Sequence, residues 1–269
     1  MSIKFRDLNV TINVQPNEAK KVEKERYNSL LPTQLPMFST FSLCDELEKH
    51  ISQLLDGLPR PDFSICDESE KQKGAEKGCY HKTNAPDGVY IAMSNDFCVK
   101  PEFWGLYKEQ KDKVVGCAII EGGKRILIAP DESEDDLEYA SECNEIPGLK
   151  TLDRDNAKED WDGSYNTSRL LSHAKSEAAM YCKKYGILNR VAGTWHLPAL
   201  AEMIFAQKYI DSVNACLTLS GKTPIKFTDW YWSSTQYSGT HAWLLTWSDG
   251  GVNYNTKATS YRVRAFAAL

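Results

Sequence analysis

The order of patterns along this chain predicts an α+β protein, with antiparallel strands and helices in separate blocks. Three observations predict it. Two hairpin patterns come first, two helical periodicities follow, and the chain closes on an aromatic-rich run of short strands.

The elements can be justified in order. Residues 8–14 (LNVTINV) alternate as a strand does, and residues 44–58 (CDELEKHISQLLDGL) read as a short amphipathic helix ended by Gly57 and Pro59. The hydrophilic stretch 67–77 (DESEKQKGAEK) reads as a linker, and a domain boundary is expected near residue 84. Residues 1–84 are too few to bury much apolar surface alone, so they are expected to attach or oligomerise residues 85–269.

Beyond the linker, VYIAM (89–93) turns through Ser94, Asn95 and Asp96 into FCVK, and VVGCAIIE (114–121) turns through Gly122 and Gly123 into KRILIAP. The carboxylate-dense stretch 131–145 lacks the residue order and glycine of a calcium-binding EF-hand loop, and a solvated acidic loop is expected instead. Leu170, Leu171, Ala174, Ala178 and Cys182 recur at helical spacing, predicting a helix over 167–185 with Gly186 just past its end. A second helix is predicted from Pro198 through Leu217, stopping at Gly221.

In the tail, alternation puts Trp243, Leu245 and Trp247 on one face, expected to be inward, and Leu244, Thr246 and Ser248 on the other, expected to be outward. Ser248, Asp249, Gly250 and Gly251 supply a turn before a return strand from Val252. Stiff Trp anchors interleaved with Tyr, Ser, Thr, Asn and Gly fit a scaffold that displays a binding face, and fit equally an ordinary sheet with one wet face.

Composition narrows the function. The chain has 269 residues, 42% hydrophobic and 26% charged, which suits a folded protein with a substantial core. A net charge of −5, with no concentrated Lys and Arg, argues against a nucleic-acid partner. The opening residues carry no apolar signal core, and no apolar run approaches the roughly 20 residues of a bilayer span, so neither Sec export nor membrane insertion is expected. Eight cysteines lie far apart without a CxxC pair and are expected to be mostly buried free thiols; Cys66, Cys79 and His81 match no closed zinc site, and no metal or cofactor is expected.

GTWHLPALAEMIFAQKYIDSVNACL, DWYWSSTQYS, AWLLTWSDGG and the closing YRVRAF together resemble the DUF1566-type branch of the C-type lectin-like fold. More narrowly they resemble the target proteins of diversity-generating retroelements, over residues 85–269, with Trp195-His196-Leu197-Pro198 standing where WRLP is usual. The resemblance implies a C-type lectin-like fold of two helices with antiparallel hairpins and sheet. It also implies a variable region at about 230–269 whose diversified codons end in a pyrimidine. Such codons never encode Trp, Lys, Gln, Glu or Met, so Trp232, Trp243, Trp247 and Lys257 fall to the framework. Ser238, Thr240, His241, Leu244, Thr246, Ser248, Asp249, Asn253, Tyr254, Ala258, Ser260 and Tyr261 are compatible with such codons and are the expected ligand-binding surface.

No catalytic residue is expected. Formylglycine-generating enzymes share the broader fold but use cysteines late in the domain, and none follows Cys216 here. The SxxK match from Ser172 to Lys175 lies inside a helical pattern without companion motifs, and the five histidines form no constellation with a nucleophile. A calcium-dependent sugar lectin is disfavoured because Gln15-Pro16-Asn17 lies outside the domain and Trp247-Ser248-Asp249 replaces WND. The expected protein is therefore a non-enzymatic receptor-binding adhesin at the tip of a phage tail fibre. Its partner is a host cell-surface protein or glycan, and it is expected to be a homo-oligomer, with a trimer favoured. A bacterial surface adhesin without a variable region is the alternative.

Overall fold

The computed structural model describes residues 2–4, 11–13, 78–188 and 194–269, and the chain divides into two compact units, Met1–Pro61 and Asp62–Leu269. In the first unit β1 (Ser2–Lys4) pairs antiparallel with β2 (Thr11–Asn13), Ile3 opposite Ile12. Strand β2 falls within the strand expected over 8–14; the helix expected over 44–58 and the linker lie outside the described residues.

The second unit opens with β3 (Cys79–His81), β4 (Gly88–Met93) and β5 (Phe97–Val99), then two 3-10 turns that bury Trp104, then β6 (Val114–Glu121) and β7 (Lys124–Ile128). Both expected hairpins form. Gly122 and Gly123 take φ of 55° and 83°, the left-handed pair that a two-residue turn needs to match strand twist. Because β3 pairs with β5, residues 79–81 belong to this unit, which therefore begins upstream of the expected boundary near 84.

After the short β8 (Leu137–Glu138) come α1 (Arg154–Ala157), α2 (Gly163–His173), α3 (Glu177–Leu188), α4 (Leu200–Gln207) and α5 (Ile210–Leu219). The single helix expected over 167–185 is two helices. Ala174 is extended (φ −145°, ψ 154°), Ser141 N–H bonds the Lys175 carbonyl, and Ser176 Oγ then accepts from Ala179 N–H at 3.0 Å to start α3, so Gly186 lies inside a helix. The helix expected from Pro198 onward is also two, broken at Lys208 and Tyr209. Its far end falls where the sequence places it: Lys222 N–H reaches the Leu217 carbonyl and Gly221 takes φ of 70°, the Schellman closure.

The chain finishes with β9 (Trp230–Gln236), β10 (His241–Thr246), β11 (Val252–Thr256), β12 (Ser260–Tyr261) and β13 (Phe266–Ala268). Strands form a six-stranded sheet ordered β13-β7-β6-β4-β5-β3, a three-stranded sheet ordered β11-β10-β9, and the pair β12-β8; every named pairing is antiparallel. The fold is thus α+β with antiparallel sheets.

Apolar packing forms two cores. Ile91, Ile119 and Ile128 meet Leu200 and Met203 of α4, Val213 and Leu217 of α5, and Trp243, Leu245 and Trp247. Tyr90, Ala118 and Leu127 meet Leu170 of α2, Ala178 and Cys182 of α3, and Trp232 and Leu244. Strands β4, β6, β9 and β10 are therefore covered on both faces, whereas β11 is left partly open. Among the described cysteines, Cys79, Cys98, Cys117, Cys182 and Cys216 are buried and Cys143 is exposed, and these six form no disulfide. Among the described residues no helix is long and apolar enough to cross a membrane.

Candidate functional site

The three-stranded sheet positions the surface through tryptophans. Trp243 is buried, and its Nε1–H donates to the Leu152 carbonyl at 3.0 Å; Trp232 is buried on the opposite face and donates to the Leu137 carbonyl at 3.0 Å. Trp247 is buried edge-on to Tyr231, with ring centroids 5.9 Å apart. Lys257 is buried as well, so all four residues assigned to the framework lie inside.

Two of the expected display residues lie inside too. Leu244 is 2% exposed and Thr246 is 8% exposed, which corrects their outward placement. Alternation sets them on the face opposite Trp243, but that face meets the second core, where Leu244 packs in the cluster of Trp232 and Trp195. The Thr246 hydroxyl donates to the Phe227 carbonyl at 3.0 Å. A strand buried on both faces still has period two in orientation, without period two in exposure.

The other candidates fall in three places and not in one patch. Ser248 and Asp249 occupy the exposed turn after β10, where Asp249 Oδ1 accepts from Gly251 N–H at 2.9 Å. Asn253 lies on β11, whose neighbour Asn255 donates to the Tyr261 hydroxyl at 2.6 Å; Tyr261 packs edge-on to Trp232, Ser260 pairs with Glu138, and Ala258 is exposed in the turn between β11 and β12. Ser238, Thr240 and His241 gather with Tyr254 at the other end of β10. Six residues at about 3.3 Å each separate them from Ser248.

That last group is the best built. Tyr254, 40% exposed, lies opposite Trp243 in the strand register and stacks flat on Tyr237, with ring centroids 3.9 Å apart and planes at 11°. Trp243 meets Tyr237 and Tyr254 near right angles at 5.1 and 5.5 Å, and His241 meets Tyr254 at 5.6 Å. The bond to the Tyr254 hydroxyl pushes the Tyr237 phenol above its ordinary pKa. His241 Nδ1 lies 2.7 Å from Thr240 Oγ1, and Ser238 Oγ accepts from His241 N–H at 3.1 Å. Tyr237 is absent from the sequence-based set. Its signal is parity, since it follows Tyr231, Ser233 and Thr235 onto the Trp243 face.

The edge of this sheet is closed to strand addition. Tyr254 N–H donates to Asn253 Oδ1 at 2.9 Å and Thr256 N–H to Asn255 Oδ1 at 2.7 Å, so the side chains of β11 occupy donors that an added strand would use.

Beneath the surface, Lys257 Nζ donates to the Asn144 carbonyl and to Gln236 Oε1, each at 2.7 Å, and Gln236 Oε1 also accepts from Ile146 N–H at 3.1 Å. This network ties the 144–146 loop to β9, beside the Gly239 turn. Burial pulls the Lys257 ammonium down to about 8, opposed by the nearby Cys143 and Glu145.

The acidic stretch is not the wholly solvated loop that its charge density led us to expect. Glu132 is buried: its Oε2 accepts from the Tyr231 hydroxyl at 2.6 Å and lies 3.3 Å from Nη2 of buried Arg264. Among the described residues no group of three or more His, Cys, Asp or Glu is placed to share a metal ion; of the zinc candidates, Cys66 lies outside the described residues and His81 Nδ1 pairs with Thr83 Oγ1 at 2.8 Å. Ser172 Oγ donates back to the Ser168 carbonyl at 2.7 Å, and His196 Nε2 makes a buried hydrogen bond to Glu202 Oε1 at 3.1 Å at the start of α4. A cavity of about 400 Å³ between Gln207, Tyr209, Ser212, Phe227 and Ser248 lies at the far turn.

No family model matches this chain, and no curated protein matches it significantly. Among solved structures it is similar in fold to a fimbrial protein from Bacteroides ovatus, at 14% identity and a TM-score of 0.53, over 69% of this chain and 49% of that one. The chain thus spans about half the length of that protein, and the likeness bears on fold.

Proposed function

We propose that this chain is a non-enzymatic recognition protein of the adhesin kind. It binds a cell-surface receptor through the end of the β9–β11 sheet that carries Tyr237, Ser238, Thr240, His241 and Tyr254. The observation that carries this reading is the exposed Tyr254 ring locked between Tyr237, His241 and buried Trp243. Rigid Tyr with adaptable Ser, Thr and Asn is the composition of a surface that binds side-on, at little cost in ordering.

The fold likeness to a fimbrial protein supports display on a bacterial surface. Display at the tip of a phage tail fibre is the second reading, favoured by the resemblance to retroelement target proteins. In either setting the second unit is a C-type lectin-like domain. Its diversified positions are the exposed or half-exposed candidates Ser238, Thr240, His241, Ser248, Asp249, Asn253, Tyr254, Ala258, Ser260 and Tyr261 on a buried Trp and Lys framework. Residues 1–84 serve attachment, and a homo-oligomer, a trimer for preference, multiplies weak single contacts into avidity.

The test is adsorption of the purified chain to a panel of bacterial and epithelial cells with EDTA present, beside a variant in which the Tyr237–His241 group and Tyr254 are reshuffled together. Metal-independent adsorption that the reshuffled variant loses on those cells is expected. Adsorption abolished by EDTA, or identical for the two proteins, contradicts the reading.

A further inference from the structure

We infer that the receptor group held at this surface is a glycan, one pyranose ring stacking on the open face of Tyr254 while the surrounding hydroxyls and imidazole exchange hydrogen bonds with its hydroxyls. This rests on the receptor-recognition reading above and specifies the ligand of the same surface.

The geometry of Tyr254 carries the inference. One face of its ring is covered by Tyr237 at 3.9 Å and 11°, and Trp243 and His241 meet it at 87° and 83°. The ring is therefore fixed, yet it remains 40% exposed. A flat apolar facet held in place before binding loses little freedom when a rigid ring settles on it.

The rim matches in chemistry. The Ser238, Thr240 and Thr256 hydroxyls and the His241 imidazole each both donate and accept, as the vicinal hydroxyls of a sugar do, and Thr256 faces His241 in the strand register. Ser238, Thr240 and His241 are already oriented by bonds among themselves, at 3.3 Å between the two hydroxyls and 2.7 Å from Thr240 to the imidazole. A cation beside this surface, Arg154, has a guanidinium N–H engaged by the Val252 carbonyl at 3.3 Å.

Two observations weigh against a protein ligand. A stable protein interface buries about 800 Å² per partner around an apolar centre. Among the described residues of β9 to β11, Tyr254 is the one strongly exposed large hydrophobic side chain. An extended peptide could bypass that need by adding a strand, but Asn253 and Asn255 occupy the edge donors.

The experiment uses the full chain in EDTA, on an array of defined glycans and on the adsorbing cells, with Tyr254→Ala, Tyr254→Leu and Tyr254→Phe, each checked for an unchanged unfolding midpoint. Stacking predicts that Phe binds within a few-fold of the native residue, whereas Ala and Leu both lose about tenfold or more. Mild periodate, which cleaves the vicinal diols of cell-surface sugars, is expected to abolish adsorption. Adsorption that survives periodate and is lost to protease overturns the glycan inference while leaving receptor recognition standing, as does a Leu variant that binds like Phe. Adsorption to no cell and no glycan overturns both.

Discussion

Tyr254 of β11 lies flat on Tyr237 at the end of β9, although β10 runs between their strands, so the pair arches over Trp243 and closes an aromatic surface across the sheet. Tyr254→Phe removes the hydroxyl that raises the Tyr237 phenol while keeping the stack. The Tyr237 titration is expected to fall toward its ordinary value, as read by NMR of the labelled ring. An unmoved titration would show that the two hydroxyls are not bonded.

Exposure along β10 sets the cost of substitution. Trp243→Ala is expected to destabilise the domain by about 3–5 kcal/mol and Leu244→Ala by about 2–5 kcal/mol, since each empties a packed site. Ser248→Ala, in the exposed turn, should stay within about 0.5 kcal/mol. Chemical denaturation of the three variants checks this, and a Leu244 variant as mild as the Ser248 one would return Leu244 to the surface.

Much of this was legible because it is local. The Gly122-Gly123 turn, the Gly221 helix end and the parity that sends Trp232 and Trp243 to opposite faces each depend on a few adjacent residues. Leu244 was misplaced because parity reports direction and says nothing about what covers a face; a second helical layer came from residues far along the chain. The two helix breaks were missed because Ala174 and Tyr209 carry no breaker signal, and tertiary bonds such as Ser141 to Lys175 hold one of the gaps open. Tyr237 was missed because it lies one residue past its strand and gains meaning only beside Tyr254. Glu132 was read with its charged neighbours, since nothing local points to Arg264 as its partner.

Lys257 gives a pH signature. Its folded-state pKa, about 8, lies below the 10.5 of a free lysine, so the unfolded chain holds more protons between those values. The destabilising contribution of the buried ammonium is fully present below pH 8 and is relieved as pH rises from 8 toward 10, above which tyrosines also titrate. The stability of the native chain relative to Lys257→Met should therefore increase across that window in chemical denaturation. Parallel curves would mean that the ammonium is not desolvated.

Glu132 is the other buried charge of consequence. Glu132→Ala strands Arg264 in the interior and is expected to cost about 3–5 kcal/mol, whereas Asp135→Ala in the same acidic stretch should be near neutral. Equal small losses in thermal unfolding would show that Arg264 finds other partners.

The most direct measurement compares the two ends of the β10–β11 hairpin on one adsorbing cell type in EDTA. Affinities are measured for native protein, for Tyr254→Ala at one end and for the Ser248→Ala, Asp249→Ala double variant at the other. Recognition at the aromatic end predicts a loss of about tenfold or more for Tyr254→Ala and little change for the turn variant. Retention of affinity by Tyr254→Ala, with loss by the turn variant, would contradict it.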